Sequence, residues 1–97
     1  MFDLSGKRVL ITGAAGGIGK ELSKSFLDVG ASIILSGTNI ERLKSLKDDL
    51  NQECEVYKCD LTNVDDINDL LNYLDGLGGI DVLINNAGKT EDNLLMR

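Results

Sequence analysis

Histidine, proline and tryptophan are missing from these 97 residues, and aromatic side chains make up only 4%. Without histidine, no serine–histidine or cysteine–histidine nucleophile can be assembled here, and no histidine metal site. Cysteine is scarce too: Cys54 and Cys59 stand alone. In an extended strand their spacing spans roughly 16 Å, too far for a disulfide. A metal would need two further ligands, so they read as reduced thiols at a strand, with no metal site. Positive charge is also short. Ten basic residues face sixteen acidic ones, a net charge of −6. Such a surface has no general attraction for nucleic acid or anionic membrane. Apolar runs are too short to span a bilayer. The start, Met1-Phe2-Asp3-Leu4-Ser5-Gly6-Lys7-Arg8, lacks the apolar stretch of a secretory signal, so the expected location is cytoplasmic.

What is present is the balance of a folded domain, 42% hydrophobic and 27% charged. No repeat, linker or low-complexity tract divides it, and its length allows one small domain. Val9-Leu10-Ile11 and Ile33-Ile34-Leu35 are short, fully apolar runs that read as strands buried on both faces. Val82-Leu83-Ile84 is a third such run. Val56, Tyr57 and Cys59, interrupted by Lys58, form a more polar strand suited to a sheet edge.

Between the strands, apolar residues recur at helical spacing. Ile18, Leu22, Phe26 and Val29 mark one helix, with Gly30 as its C-terminal stop. Leu43, Leu46 and Leu50 mark a second, with Thr38 and Glu41 at capping-box spacing. Val64, Ile67, Leu71 and Leu74 mark a third, which Thr62 can cap. The pattern is βαβαβαβ. Right-handed crossovers make it an α/β, Rossmann-type parallel sheet of order 3-2-1-4, with helices on both faces. Ligands of such sheets sit beyond the carboxyl ends of the strands, where the strand order reverses. Thr12-Gly13, Gly37-Thr38, Asp60-Leu61 and Asn86-Ala87-Gly88 all fall there.

Residues 12–19 read Thr-Gly-Ala-Ala-Gly-Gly-Ile-Gly. A turn from strand directly into helix presents the first helical N–H groups and the positive end of the helix dipole, a setting for pyrophosphate. Gly13 suits the tight turn, Gly17 the approach of phosphates, and Gly19 close packing of helix on sheet. Gly19-Lys20 does not complete a GxxxxGK[ST] loop, because Ala14 and Glu21 stand where glycine and a hydroxyl residue are required. Nor is this a phospho-receiver domain, since Ile11 and Thr12 replace the acidic pair that such a site needs.

Thr12-Gly13-x3-Gly17-Ile18-Gly19, Asp60-Leu61 and Asn85-Asn86-Ala87-Gly88, in this order and spacing, resemble the short-chain dehydrogenases/reductases. The segment from Gly88 to Arg97 is similar to the corresponding stretch of the bacterial 3-oxoacyl-[acyl-carrier-protein] reductases of type II fatty acid synthesis. The resemblance runs through the whole chain and covers the N-terminal part of such an enzyme, so residues 1–97 read as a partial NAD(P)-binding domain. It implies a cofactor site at Gly13, Ala14, Ala15, Gly16, Gly17, Ile18, Gly19, Thr38, Asp60, Leu61, Asn86 and Gly88. Backbone from Gly13 to Gly16 would line pyrophosphate and ribose. Thr38 would face the ribose 2′ position, Asp60 and Leu61 would flank adenine, and Asn86 and Gly88 would lie along the cofactor. Structural readings stand beside these: Asp60 caps the following turn, Asn86 ties neighbouring strands, and Thr38 caps a helix.

NAD sites place a carboxylate about twenty residues past the glycines. Gly37-Thr38-Asn39 has none, which favours NADP (as NADPH) over NAD. Many NADP-using relatives carry a basic residue where Gly16 stands, and its absence leaves Arg42 and Lys44 as candidate cations. The family's chemistry uses a Tyr-x-x-x-Lys pair. Leu61 stands four residues past Tyr57 and Leu77 four past Tyr73, so the pair is absent and no catalytic residue is named. The resemblance further implies acyl carrier protein as partner and a homo-oligomer, a tetramer when intact. Val82-Leu83-Ile84 would be an unpaired apolar edge if nothing follows it, prone to self-association.

Overall fold

The computed structural model describes residues 3–50 and 54–86. Four strands, β1 (Arg8–Thr12), β2 (Ser32–Gly37), β3 (Glu55–Lys58) and β4 (Val82–Asn85), alternate with three helices, α1 (Gly17–Asp28), α2 (Ile40–Leu50) and α3 (Val64–Gly76). All strand pairs are parallel, and the order is β3-β2-β1-β4, as expected.

The apolar triplets explain why the sheet is covered on both sides. Side chains alternate along a strand. Val9, Ile11, Ile33 and Leu35 therefore share one face and pack with Leu43 and Leu46 of α2 and with Leu22 and Phe26 of α1. Leu10 and Ile34 share the other face and pack with Ile67, Leu70 and Leu74 of α3. The register pairs Leu10 with Ile34 on one side and with Leu83 on the other, so like faces like across three strands. Cys54 and Cys59 are buried in opposite layers, and both are free thiols. They flank β3 on either side and stand an odd number of residues apart, which sends them to opposite faces of the sheet.

β3 is the polar edge strand, and on the face covered by α3 its Tyr57 stacks on Tyr73 with ring centroids 4.5 Å apart. Val82, Leu83 and Ile84 are half-buried, and among the described residues β4 pairs only with β1. No helix among the described residues is long and apolar enough to cross a membrane.

Three local expectations need correction. Asn39, not Thr38, caps α2: its Oδ1 accepts from the N–H groups of Glu41 and Arg42 at 3.0 and 3.1 Å. Asn63, not Thr62, caps α3, accepting from Asp66 N at 3.1 Å. In both places the residue after the threonine occupies the position whose side chain reaches the second and third helical N–H groups. The third correction concerns Ile18, which is 69% exposed. Gly19 and Ser23 hold the sheet-facing positions of α1 instead. Ser23 is tolerated in the core because its Oγ donates to the Gly19 carbonyl at 2.7 Å. Beyond Asp28 the helix stops as expected, with Gly30 at φ 93° and its N–H on Leu27 O.

Candidate dinucleotide site

The carboxyl ends of β1 and β4 meet at the point where strand order reverses. β1 ends in Thr12, and Gly13 turns the chain with φ 61°, a left-handed conformation that favours glycine. Ala14 follows, fully buried, with its N–H on Ser36 O of β2 at 3.0 Å. The turn is thus pinned to the neighbouring strand before the helix begins. Gly16 and Gly17 are exposed, and a Cβ at either would meet nothing within 4 Å. Gly19 is the reverse: a Cβ there would collide with the Ala14 backbone, which places α1 against the turn.

The start of α1 differs from the other two helices. Asn39 and Asn63 cap α2 and α3, whereas Gly16 gives α1 no side-chain cap. No acidic residue lies in the first turn of α1, while α2 and α3 carry Glu41 and the pair Asp65 and Asp66 there. Open N–H donors, a bare glycine surface and an unneutralised helix dipole together can take an anion. The residues present fit the pyrophosphate of a dinucleotide.

β4 closes the other side of the crevice. Thr12 Oγ1 donates to Asn85 Oδ1 at 2.8 Å, and Asn86 Nδ2 donates to Gly13 O at 3.1 Å. The strand-tying role weighed for Asn86 is therefore present, with the side chain half-buried at the crevice. At the end of β3, Cys59 N donates to Gly37 O at 2.8 Å, continuing the ladder to the crevice. Asp60 Oδ1 accepts from Thr62 N and Thr62 Oγ1 at 2.9 and 2.7 Å. These two bonds hold its carboxyl below the ordinary carboxylate range. The turn-capping role of Asp60 is present too, and its backbone N–H is held in turn by Asp66 Oδ2 at 2.9 Å.

The remaining positions separate by burial. Thr38 and Ile18 are exposed, Ala15 is half-buried, and Ile18 lines an apolar cleft of about 470 Å³ with Gly17, Leu22 and Ser25. Leu61 is buried in the α3 layer with Leu10 and Ile34. Gly88 lies outside the described residues.

A second, smaller cleft of about 240 Å³ opens from the glycine turn toward α2, between Ala15, Gly16, Gly17 and Lys20 on one side and Arg42, Ser45, Leu46 and Asp49 on the other. Of the two cations expected from sequence, Arg42 lines it and Lys44 does not. Lys20, Ser45 and Asp49 were missed. The signal for the α2 residues was their i, i+3, i+7 spacing from Arg42, which puts them on one helix face. Lys20 carried only the signal of an incomplete phosphate loop.

The comparisons with known proteins agree with this geometry. The short chain dehydrogenase family profile matches residues 7–96. The chain is 41% identical over 97 residues to a 3-oxoacyl-[acyl-carrier-protein] reductase of Rickettsia bellii, covering 100% of this chain and 39% of that protein. A hydroxysteroid dehydrogenase of Escherichia coli superposes with a TM-score of 0.79 at 35% identity, covering 90% of this chain and 39% of that one. A metagenomic short-chain oxidoreductase in complex with NADP superposes with a TM-score of 0.80 at 33% identity, covering 89% of this chain and 41% of that one. The chain therefore spans about two fifths of the length of the relatives it matches. With the βαβ glycine turn, the strand order and the family profile all in agreement, this chain belongs to the short-chain dehydrogenase family.

Proposed function

We propose that this chain is the cofactor-binding part of an NADPH-dependent reductase that converts a 3-oxoacyl thioester, carried on acyl carrier protein, to the 3-hydroxyacyl thioester. The observation that carries the reading is the uncapped, acid-free start of α1 behind the open glycines Gly16 and Gly17. Backbone N–H groups at this turn would hold the pyrophosphate. Asp60, fixed by Thr62, would border the adenine, and Thr38 would stand at the ribose 2′ position. Asn86, anchored on Gly13, and Gly88 would lie along the rest of the dinucleotide. When bound, the reduced nicotinamide supplies the hydride that goes to the 3-oxo carbon.

The substrate assignment rests on the 41% identity to the Rickettsia bellii reductase. The lack of a carboxylate in Gly37-Thr38-Asn39 and the NADP complex of the metagenomic relative support NADPH. No Tyr-x-x-x-Lys pair occurs in the 97 residues, so proton donation to the ketone requires residues beyond this sequence. Alone, the chain should bind without turnover. The intact enzyme would be a cytoplasmic homo-tetramer. A reductase or dehydrogenase acting on another ketone or alcohol is the second reading, favoured by the 35% identity to a hydroxysteroid dehydrogenase.

Titrating the chain with NADPH and following the nicotinamide fluorescence tests the binding assignment. Saturable binding with no oxidation on adding a 3-oxoacyl thioester is expected. Turnover should appear only in a longer protein that supplies the tyrosine and lysine. Absence of binding would overturn the reading.

A further inference from the structure

A cleft of about 470 Å³ opens at the amino-terminal end of the sheet, separated from the glycine turn by the length of β1, roughly 16 Å. Its volume lies in the range of small-molecule sites. Alternation along the strands explains its lining. Leu10, Ile34 and Tyr57 pack on the α3 side of the sheet. Arg8, Ser32 and Glu55 stand two residues before them and share that side. Tyr73 of α3 and Leu77 at its C-terminal cap complete the wall.

Arg8 is fixed at both ends. Its backbone N–H donates to Asp81 Oδ2 at 2.8 Å, and its Nη1 donates to Leu77 O and Gly79 O at 2.6 and 2.8 Å. Those side-chain bonds use one nitrogen of the guanidinium. The opposite edge, Nε with Nη2, has no partner among the described residues, and such an edge matches a carboxylate with two parallel bonds. Glu55 supplies the opposite charge. It is exposed and makes no ion pair among the described residues. β1 and β3 flank β2, so Arg8 and Glu55 leave the sheet on strands roughly 10 Å apart. Tyr73 feels both: burial pushes its phenol up, Glu55 and then Tyr57 add to the rise, and Arg8 opposes it.

We propose that this cleft binds a small zwitterion, an amino acid with an apolar side chain, with its carboxylate on the free edge of Arg8, its ammonium toward Glu55 and its side chain against Tyr73 and Leu77. Two charges of opposite sign in one cleft favour a ligand that carries both. A bare carboxylate gains Arg8 but is repelled by Glu55, and a bare amine gains Glu55 but is repelled by Arg8. The two carbonyl bonds already hold the guanidinium plane, so little freedom is lost when its other edge is used. Leu77 is 36% exposed, and an apolar side chain laid on it takes that surface out of water. The site lies at the opposite end of the strands from the dinucleotide crevice and does not rest on that reading.

The two tyrosines of the chain, Tyr57 and Tyr73, form the stack beside this cleft, and the chain has no tryptophan. Intrinsic tyrosine fluorescence therefore reports on this place. Titration of the purified chain with L-leucine should give a saturable change, half-complete at about 1 mM or below. The probes 4-methylpentanoate and 3-methylbutylamine lack the ammonium and the carboxylate in turn, and each should bind about tenfold more weakly. Arg8→Lys keeps the charge but loses the fork, and should weaken leucine about tenfold. Glu55→Gln, at an exposed side chain, should weaken leucine about threefold and leave 4-methylpentanoate no weaker. Circular dichroism checks the fold of each variant, and Glu55→Gln carries the test if Arg8→Lys does not fold. No saturable response to leucine overturns the inference. So does a response that the folded variants leave intact, or equal affinity for leucine and 4-methylpentanoate.

Discussion

Asn86 Nδ2 donates to the Gly13 carbonyl at 3.1 Å and joins segments 73 residues apart. The bond ties the end of β4 to the glycine turn, beside the Thr12–Asn85 contact of 2.8 Å. The shape of the crevice therefore depends on a side chain as well as on the sheet ladder. Asn86→Ala should lower stability by about 1 kcal/mol, the usual net worth of such a bond. Asn86→Asp should do no better, because a carboxylate cannot donate to a carbonyl. Urea unfolding followed by circular dichroism measures both. An unchanged midpoint for both variants would show that the tie does not support the fold.

Gly19 and Gly17 should respond in opposite ways to the same added methyl. At Gly19 the Cβ would lie 2.7 Å from Ala14 Cα, against backbone that cannot rotate away. Gly19→Ala should cost about 1–3 kcal/mol through overpacking. At Gly17 there is open space, and alanine is the better helix residue, so Gly17→Ala should hold or raise stability by up to about 1 kcal/mol. In NADPH titrations the same Gly17→Ala change should weaken binding, because the methyl occupies the surface proposed for the phosphates. A variant of normal stability with reduced affinity separates a binding turn from a structural one.

Fold and site were legible in the sequence to different depths. Val9-Leu10-Ile11, Ile33-Ile34-Leu35 and Val82-Leu83-Ile84 revealed the strands because only a sheet covered on both faces needs unbroken apolar triplets. The caps were displaced by one residue, from Thr38 to Asn39 and from Thr62 to Asn63. Each pair contains two competent caps, and only backbone geometry chooses between them. Ile18 fitted the apolar period but faces out, because the close approach of α1 at Gly19 turns Ser23 toward the sheet instead. The pairing of Lys20 with Asp49 could not be read from spacing. It arises from the packing of α1 beside α2, a tertiary event between residues with no local relationship.

Asp60 offers a direct titration. Its carboxyl is held low first by the Thr62 hydroxyl and then by the Thr62 N–H, with Lys58 adding a smaller pull. The folded-state value is depressed, so the stabilisation is present above the unfolded value and is lost as pH falls through the folded one. Thr62→Val removes the hydroxyl donor and should move the Asp60 pKa back up toward the ordinary range. Carboxyl-carbon NMR across the acid range reads this directly. An unmoved Asp60 resonance would mean that the hydroxyl contact is not maintained in solution.

Cys59 gives the opposite sign at the alkaline end. It is 2% exposed among Leu10, Ile34 and Leu70, and its pKa is raised from 9.0 to about 11. Burial is the main cause, and the negative charges of Asp66, Asp60 and Asp69 add to it. The unfolded chain releases this proton near 9.0, while the folded chain keeps it until about 11. The contribution to stability is therefore complete below the first value and is lost as pH rises through the second. Stability should fall across that window, and Cys59→Ala should flatten the fall relative to the parent. The same burial keeps the thiol protonated and out of reach near pH 8. A disulfide exchange reagent should then react slowly with the native chain and rapidly once urea is added. Rapid labelling of Cys59 in the native state would show that the α3 layer opens far more readily than its packing against Leu10 and Ile34 implies.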